Sequence, residues 1–175
     1  MRRDAFSLVE LVAVLVILAL VSALAAPRIA GALARQRADS AARRVVADIS
    51  LAQRTARATS AARSVAFDLT NECYTLADID DPDRPGQTYT VKIMGEPYRT
   101  ELVSARFGLG LTLSFDGFGR PADGGKLIIR TGDACRQITV DGTTGATEVS
   151  TVACPARAAS GAGKLDGATE VIPAL

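Results

Sequence analysis

The sequence predicts an α+β protein in which a long N-terminal helix crosses a membrane, continues as an amphipathic helix and packs on an antiparallel β head. Three patterns indicate this fold. Residues 6–27 form a nearly unbroken apolar run, FSLVELVAVLVILALVSALAAP. Residues 28–62 repeat apolar side chains at intervals of three or four, which is typical of an amphipathic helix. In residues 63–154 apolar residues alternate at every second position between turn residues, as in antiparallel strands.

The apolar run is long enough to span a bilayer. It holds about 21 residues before Pro27, and a helix of that length extends about 31 Å. Ser7, Glu10 and Ser22 interrupt it. A carboxylate inside a membrane helix costs about 3 kcal/mol, so we expect Glu10 to have a positively charged partner. The alternative is that Glu10, close to the start of the helix, reaches the headgroups.

The N-terminal motif resembles the class III signal of type IV pilins and of the pseudopilins of type II secretion. The resemblance is carried by a basic leader, MRRDA, followed by FSLVE, the apolar run and Pro27. It implies that residues 1–5 are a leader, that a prepilin peptidase cleaves between Ala5 and Phe6, and that the new amino group of Phe6 is methylated. Ala5 departs from the family, which usually has Gly before the cleavage site.

The same resemblance implies roles for two residues of the helix. Glu10 becomes the fifth residue of the mature chain, where the family has a glutamate that pairs with the α-amino group of a neighbouring subunit during filament assembly. Pro27 lies where many pilins have a proline that kinks the helix. The implied partners are the prepilin peptidase, other pilin or pseudopilin subunits that contact the N-terminal helix, and the membrane, which the chain crosses once.

A secretory signal peptide is the rival interpretation of residues 1–26. Ala23-Leu24-Ala25 would then be the small-residue cleavage motif. Two features oppose this interpretation, because Glu10 lies inside the apolar region and the helical pattern continues beyond the supposed cleavage site. We therefore expect the helix to be retained in the mature chain.

Arginines on the two sides of the apolar run give opposite indications of orientation. Arg2 and Arg3 precede the run, whereas five arginines follow it before residue 45. A positive-inside count places the C-terminal side in the cytoplasm. The leader must instead face a cytoplasmic peptidase in this family, which places the head in the periplasm beside a bacterial inner membrane.

Composition argues against an enzyme. The chain has 175 residues, a net charge of +1 and no His, so the commonest general base and metal ligand is missing. No catalytic nucleophile motif accompanies its Ser, Asp and Lys residues. The charge is uneven, with 10 Arg against 4 acidic residues up to residue 63 and 10 Lys or Arg against 15 acidic residues after it. We expect a structural protein without catalytic residues, cofactor or metal.

Residues 28–62 are rich in Ala and Arg, which are strong helix formers. Their spacing makes one apolar stripe of Ala34, Ala38, Ala41, Val45, Ile49, Ala52 and Ala56. We expect the residues from Val45 onward to pack on the sheet of the head, and the earlier alanines to let neighbouring helices approach. We also expect one long helix that bends near Pro27.

In the head, period-two patterns predict a series of short strands. They are Ser64–Leu69, Cys73–Leu76, Thr88–Met94, Arg99–Val103, Leu111–Phe115, Lys126–Arg130, Cys135–Val140 and Thr147–Val152. Residues 78–86 hold four aspartates and invite a calcium site, but Tyr89 stands where an EF-hand has its last glutamate ligand. We therefore expect a solvated loop there, and a flexible tail at residues 155–175.

The head pattern resembles H-type minor pseudopilins of type II secretion and related minor pilins. The resemblance rests on FDGFGRP at residues 115–121, a Gly-Gly step at residues 124–125 and a final hairpin with glycine at its tip. It implies a minor subunit of a type II secretion or type IV pilus-like filament. The alternative is a DNA-uptake minor pilin, whose relatives carry a basic motif near this hairpin. Residues 145–148 read GATE and lack Arg, so we expect no nucleic acid partner.

Three cysteines in an exported protein indicate one disulfide and one free thiol. We expect Cys135 to pair with Cys154, because they flank the final hairpin, whose strands bring residue 135 opposite about residue 152. Cys73 is then the free thiol. A bond between Cys73 and Cys135 is the alternative that the spacing leaves open.

Overall fold

The computed structural model describes residues 8–155, and the side chains of residues 23–27 are not part of the description. Within this range one helix precedes eight strands. They are α1 (Leu8–Thr59), β1 (Arg63–Asp68), β2 (Cys73–Asp81), β3 (Arg84–Lys92), β4 (Glu101–Phe107), β5 (Thr112–Phe115), β6 (Gly125–Thr131), β7 (Ala134–Val140) and β8 (Thr147–Val152). The predicted α+β class, with a long helix ahead of an antiparallel head, is confirmed.

One face of α1 packs on the head, as the spacing of its apolar residues predicts. The buried residues of this face are Ala38, Ala41, Val45, Ile49, Ala52 and Ala56, each at most 1% exposed. Their small side chains allow the helix axis to approach the sheets closely. Ala38 and Ala41 correct one expectation, because the chain's own head covers them and they do not face neighbouring helices.

The helix ends where the backbone adopts a left-handed conformation. Ser60 has a φ of 50°, and Ala61 N–H donates to the carbonyl of Ala56 at 3.2 Å, which satisfies one of the last carbonyls of the helix. The chain then enters β1 after three residues without helical structure, Ser60 to Ala62. The predicted change from helical to alternating pattern at this point is therefore confirmed.

Two four-stranded antiparallel sheets form the head. Their strand orders are β3-β2-β1-β5 and β4-β6-β7-β8. The apolar core lies between these sheets and α1, and it includes Leu76 and Leu127, one from each sheet. The rings of Phe67 on β1 and Phe107 on β4 stack with centroids 5.4 Å apart, so aromatic contact joins the two sheets.

The prediction of a solvated loop at residues 78–86 is wrong. β2 extends to Asp81 and β3 begins at Arg84, so most of the segment belongs to a hairpin. The Asp81 carboxylate accepts a hydrogen bond from Asp83 N–H at 2.9 Å and pairs with Arg84 at 2.8 Å, which stabilises a tight turn. A register shift just before Asp80 breaks the alternation of side chains, which is why a period-two pattern does not reveal these strands.

β7 and β8 form the final hairpin in the predicted register, with Cys135 opposite Val152. In the structure a disulfide joins Cys135 to Cys154, whose Cα atoms are 5.2 Å apart. The bond ties the chain just beyond β8 to the start of β7. Cys73 carries a free thiol that is partly buried, and burial raises the pKa of this thiol, so it is not an activated nucleophile.

Candidate assembly surface

The first part of α1 exposes apolar side chains in every direction. Leu8 is 77% exposed, Leu15 56% and Leu20 63%. The other exposed apolar residues of this stretch are Val9, Leu11, Val12, Val14, Val16, Ile17, Leu18 and Val21. Successive helix positions point about 100° apart, so a run of this kind leaves no broad polar face. Because exposed apolar surface of this extent is unfavourable in water, lipid or other apolar helices are its natural surroundings.

Two of the predicted assembly and processing residues lie in α1. Glu10 is exposed in the first turn of the helix, beside the apolar stretch. The helix continues through Pro27, whose side chain is outside the described residues, and so are Ala5 and Phe6 as a whole. The cleavage site and the bend near Pro27 therefore stay predictions.

The side chains of residues 8–22 and 28–155 are described. In this part of the chain, no helix has an apolar stretch of the length that crossing a membrane requires. The predicted membrane segment, residues 6–27, reaches outside the described side chains at both ends.

Beside the head, the outer surface of α1 is basic. Arg35, Arg43 and Arg54 are exposed along the helix. The two acidic residues in this part of α1 are both engaged by the head. Asp39 accepts a hydrogen bond from Arg136 of β7 at 2.5 Å, and this bond holds the pKa of the Asp39 carboxyl below its usual value. The positive charge of α1 is thus left facing solvent.

Asp48, the second of these acids, is the centre of a buried polar cluster and is 5% exposed. Its carboxylate accepts hydrogen bonds from the hydroxyls of Tyr74 at 2.6 Å and Tyr89 at 3.1 Å, and from the Arg44 guanidinium at 3.0 Å. Arg44 also donates to the Tyr89 hydroxyl. The cluster therefore ties α1 to β2 through Tyr74 and to β3 through Tyr89.

The charges within this cluster are balanced. Burial, and next the negative charge of Asp48, raises the pKa of the Tyr74 and Tyr89 hydroxyls, so both remain neutral donors at neutral pH. Arg44 supplies the positive charge that a buried carboxylate needs. The cluster stabilises the packing of the helix on the sheet, and its polar groups hydrogen-bond to one another.

A partly buried carboxylate joins the two sheets. Glu72 lies in the turn between β1 and β2, and its carboxylate accepts the N–H of Leu102 at the start of β4. Burial raises the pKa of the Glu72 carboxyl, and the bond from Leu102 opposes that rise. Among the described residues, no group of three or more His, Cys, Asp or Glu side chains could hold a metal ion.

Comparison with known proteins identifies the N-terminal motif. Residues 1–26 match a family model described as the prokaryotic N-terminal methylation motif. The matched range contains the predicted leader, the predicted cleavage site and Glu10, so the predicted N-terminal signal is confirmed. The head lies outside this match. A search of curated protein sequences finds no match.

Two solved structures resemble the chain, and both are the type IV minor pilin FimU of Pseudomonas aeruginosa, in different crystal forms. The first is 14% identical with a TM-score of 0.48, and the similarity covers 66% of this chain and 90% of that one. The second is 12% identical with a TM-score of 0.46, covering 64% and 91%. Similarities at this level carry no argument about fold or function.

Proposed function

We propose that this chain, whose N-terminus is that of a type IV pilin-like protein, is a minor subunit of a type II secretion or type IV pilus-like filament. One observation carries the proposal: the methylation motif at residues 1–26 contains a helical stretch, residues 8–22, that exposes apolar side chains all round. Such a helix suits both a bilayer and a core of packed apolar helices. The same surface therefore serves the subunit before and after assembly.

Before assembly, residues 6–27 anchor the chain in the inner membrane as a single span, with the head in the periplasm. A prepilin peptidase removes residues 1–5, and the amino group of Phe6 is methylated. The exposed apolar side chains at residues 8–22 support this location. Cleavage leaves the anchor in place, because the site precedes the apolar run.

During assembly, Glu10 sets the position of the subunit along the filament axis. A carboxylate among apolar helices needs a positive partner, and the methylated amino group of a neighbouring subunit supplies one. This ion pair acts over short distances, because it joins one carboxylate to one amino group and not one surface to another. Apolar contact therefore provides the attraction between helices, and the charge pair selects one axial position.

Contacts between the helix of one subunit and the head of the next are favoured by charge. Arg43 and Arg54 are exposed on α1, whereas Asp80 and Asp83 are exposed on the β2–β3 hairpin. Exposed ion pairs contribute at most about 1 kcal/mol each, so they orient neighbouring subunits more than they hold them together.

Within residues 8–155, the final hairpin gives no support to the alternative of a DNA-uptake minor pilin. The final hairpin exposes Asp141 in its turn and Glu148 in β8, and both carboxylates repel phosphates. The secretion or pilus role therefore remains the proposal, and DNA binding is not part of it.

Photo-cross-linking from Leu15 tests the assembly role. A photoreactive residue placed there, in cells that make the complete machine, is expected to form cross-links to other subunits that carry the same N-terminal motif, because Leu15 is 56% exposed in the apolar stretch. The matched control is Leu109, which is fully exposed on the head and is expected to give no cross-links to neighbouring N-terminal helices. Cross-links from Leu15 to lipid alone would contradict the proposal.

The disulfide provides a test of location. Peptide mapping without reductant is expected to find Cys135 linked to Cys154 and Cys73 alkylated, as in an oxidising compartment. The two cysteines are 19 residues apart, and closing a loop of that size stabilises the head by about 3 kcal/mol in the chain-entropy model. A linked peptide that contains Cys73 would contradict the pairing. Alkylation of all three thiols would contradict the periplasmic location.

A further inference from the structure

A five-residue sequence, GATEV, occurs twice in the chain, at residues 145–149 and at residues 167–171. The structure shows what the first copy does. Gly145, with a φ of 75°, ends the turn of the final hairpin. The residues from Thr147 onward form β8 and pair with β7. The second copy is followed by Ile172 and lies in the tail, outside the described residues. Thr and Val favour strands, and in the second copy Ile172 adds a third residue that favours them.

β8 offers an edge to which another strand can add. It is the last strand in the order β4-β6-β7-β8, so within the described residues it pairs on one side. Asp141 N–H donates to the carbonyl of Ala146 at 2.9 Å, so Ala146 turns its C=O toward β7. Because backbone groups of successive strand residues face opposite sides, Thr147, Val149 and Thr151 turn their N–H and C=O groups to the free side.

The other edge of this sheet is partly closed. The free side of β4 is occupied at Leu102, whose N–H donates to the Glu72 carboxylate. β5 is an edge strand of the other sheet. The segment that follows it folds back over this edge, where Ala122 N–H donates to the carbonyl of Ser114 at 2.9 Å. β8 has no comparable cover among the described residues.

A groove lies beside the free edge. Its volume is about 570 Å³, and its walls come from residues 30–35 of α1, residues 132–136 at the β6–β7 turn and the start of β7, and Thr151 and Val152 at the end of β8. Val149 is 40% exposed although it lies opposite the buried Ile138 of β7. A strand added beside β8 would place alternate side chains on the α1 side of the sheet, where one could enter this groove next to Thr151 and another could cover Val149.

We propose that residues 168–172 add to the free edge of β8 within the same chain, as a fifth strand of this sheet. The chain can reach that edge. Arg130 of β6 donates to the carbonyl of Pro155 at 3.3 Å, so the described chain ends two strands from β8, about 10 Å. Residues 156–167, the twelve residues between Pro155 and the proposed strand, extend to about 43 Å at most. A tether of this length keeps the segment at about millimolar local concentration, which favours its own head over another copy.

Covering β8 has a consequence for association. A free edge with β-branched residues is a template for pairing with any extended chain, and occupation by the tail removes it. On this proposal, the second GATEV copy covers the free edge of β8, so that subunits associate through α1 instead of through the sheet edge.

Hydrogen–deuterium exchange of the full chain in detergent micelles, read residue by residue, tests this proposal. Slow exchange is expected at the amides of Thr147, Val149 and Thr151, which face the free edge. Val171→Pro removes a donor and is expected to speed their exchange by about tenfold or more. The amides of Glu148 and Ser150, which face β7, are expected to keep their protection, so loss of folding would be recognised.

Ala159→Pro is the matched control, because it places the same residue in the tail outside the repeated sequence. It is expected to leave the exchange of Thr147, Val149 and Thr151 unchanged. Fast exchange of these amides in the unmodified chain would overturn the proposal. Protection that disappears on dilution would also overturn it, since the strand would then come from a second copy.

Discussion

Replacing Glu10 with Val is expected to leave cleavage and methylation intact and to prevent incorporation into the filament. The change removes a charge that costs about 3 kcal/mol in a membrane helix, so insertion becomes easier. In the filament, the amino group of the neighbouring subunit loses its partner among apolar helices. A loss of about 3 kcal/mol corresponds to roughly a hundredfold lower incorporation, measured by cross-linking from Leu15.

Ser22→Val is the control for this experiment. It also makes the apolar stretch more apolar, but the Ser22 hydroxyl is satisfied within α1 by the carbonyl of Leu18 at 2.7 Å. We expect normal incorporation. If the Glu10 variant assembled as well as this control, Glu10 would have no role in assembly. If it were not cleaved, its role would lie in processing.

Replacing Asp48 with Ala is expected to lower the free energy of unfolding of the head by about 3 kcal/mol. The change leaves the buried Tyr74 hydroxyl without its acceptor and Arg44 without its ion-pair partner. A domain of this size is stable by about 5–15 kcal/mol in total, so the loss is a large share. Urea unfolding of the full chain in detergent measures it.

Two further variants separate the cluster from a general surface effect. Asp83→Ala removes an exposed carboxylate and is expected to change the unfolding free energy by less than about 0.5 kcal/mol. Tyr74→Phe is expected to cost about 1.5 kcal/mol in the unmodified chain and much less in the Asp48→Ala background. If the losses of unfolding free energy in the two single variants simply added in the double variant, Asp48 and Tyr74 would act independently.

Local periodicity is the reason that α1 and the final hairpin could be predicted. The stripe from Ala38 to Ala56 depends on spacings of three and four along one element, and the register of β7 with β8 depends on a short turn between neighbours. Both are set by contacts close in sequence, so the sequence pattern contains the information. The N-terminal motif could be predicted for the same reason, because it consists of consecutive residues.

The parts that escaped prediction depend on contacts distant in sequence. Asp48 lies on the apolar stripe, three residues after Val45, and a lone carboxylate at such a position is a signal for polar partners in the head. The identity of those partners is not local, because Tyr74 and Tyr89 are 26 and 41 residues away. The β2–β3 hairpin was missed for another reason, since its aspartates are turn-forming residues and its register shift disrupts alternation.

The mass of the mature N-terminal peptide shows directly whether the apolar helix stays in the mature chain. The chain is isolated from the membranes of cells that contain the prepilin peptidase, digested and analysed by mass spectrometry. We expect a peptide that begins at Phe6 and carries one methyl group on its amino terminus. A peptide that begins at Ala26 would contradict the proposed assembly role, because the apolar helix would then have been removed as a secretory signal.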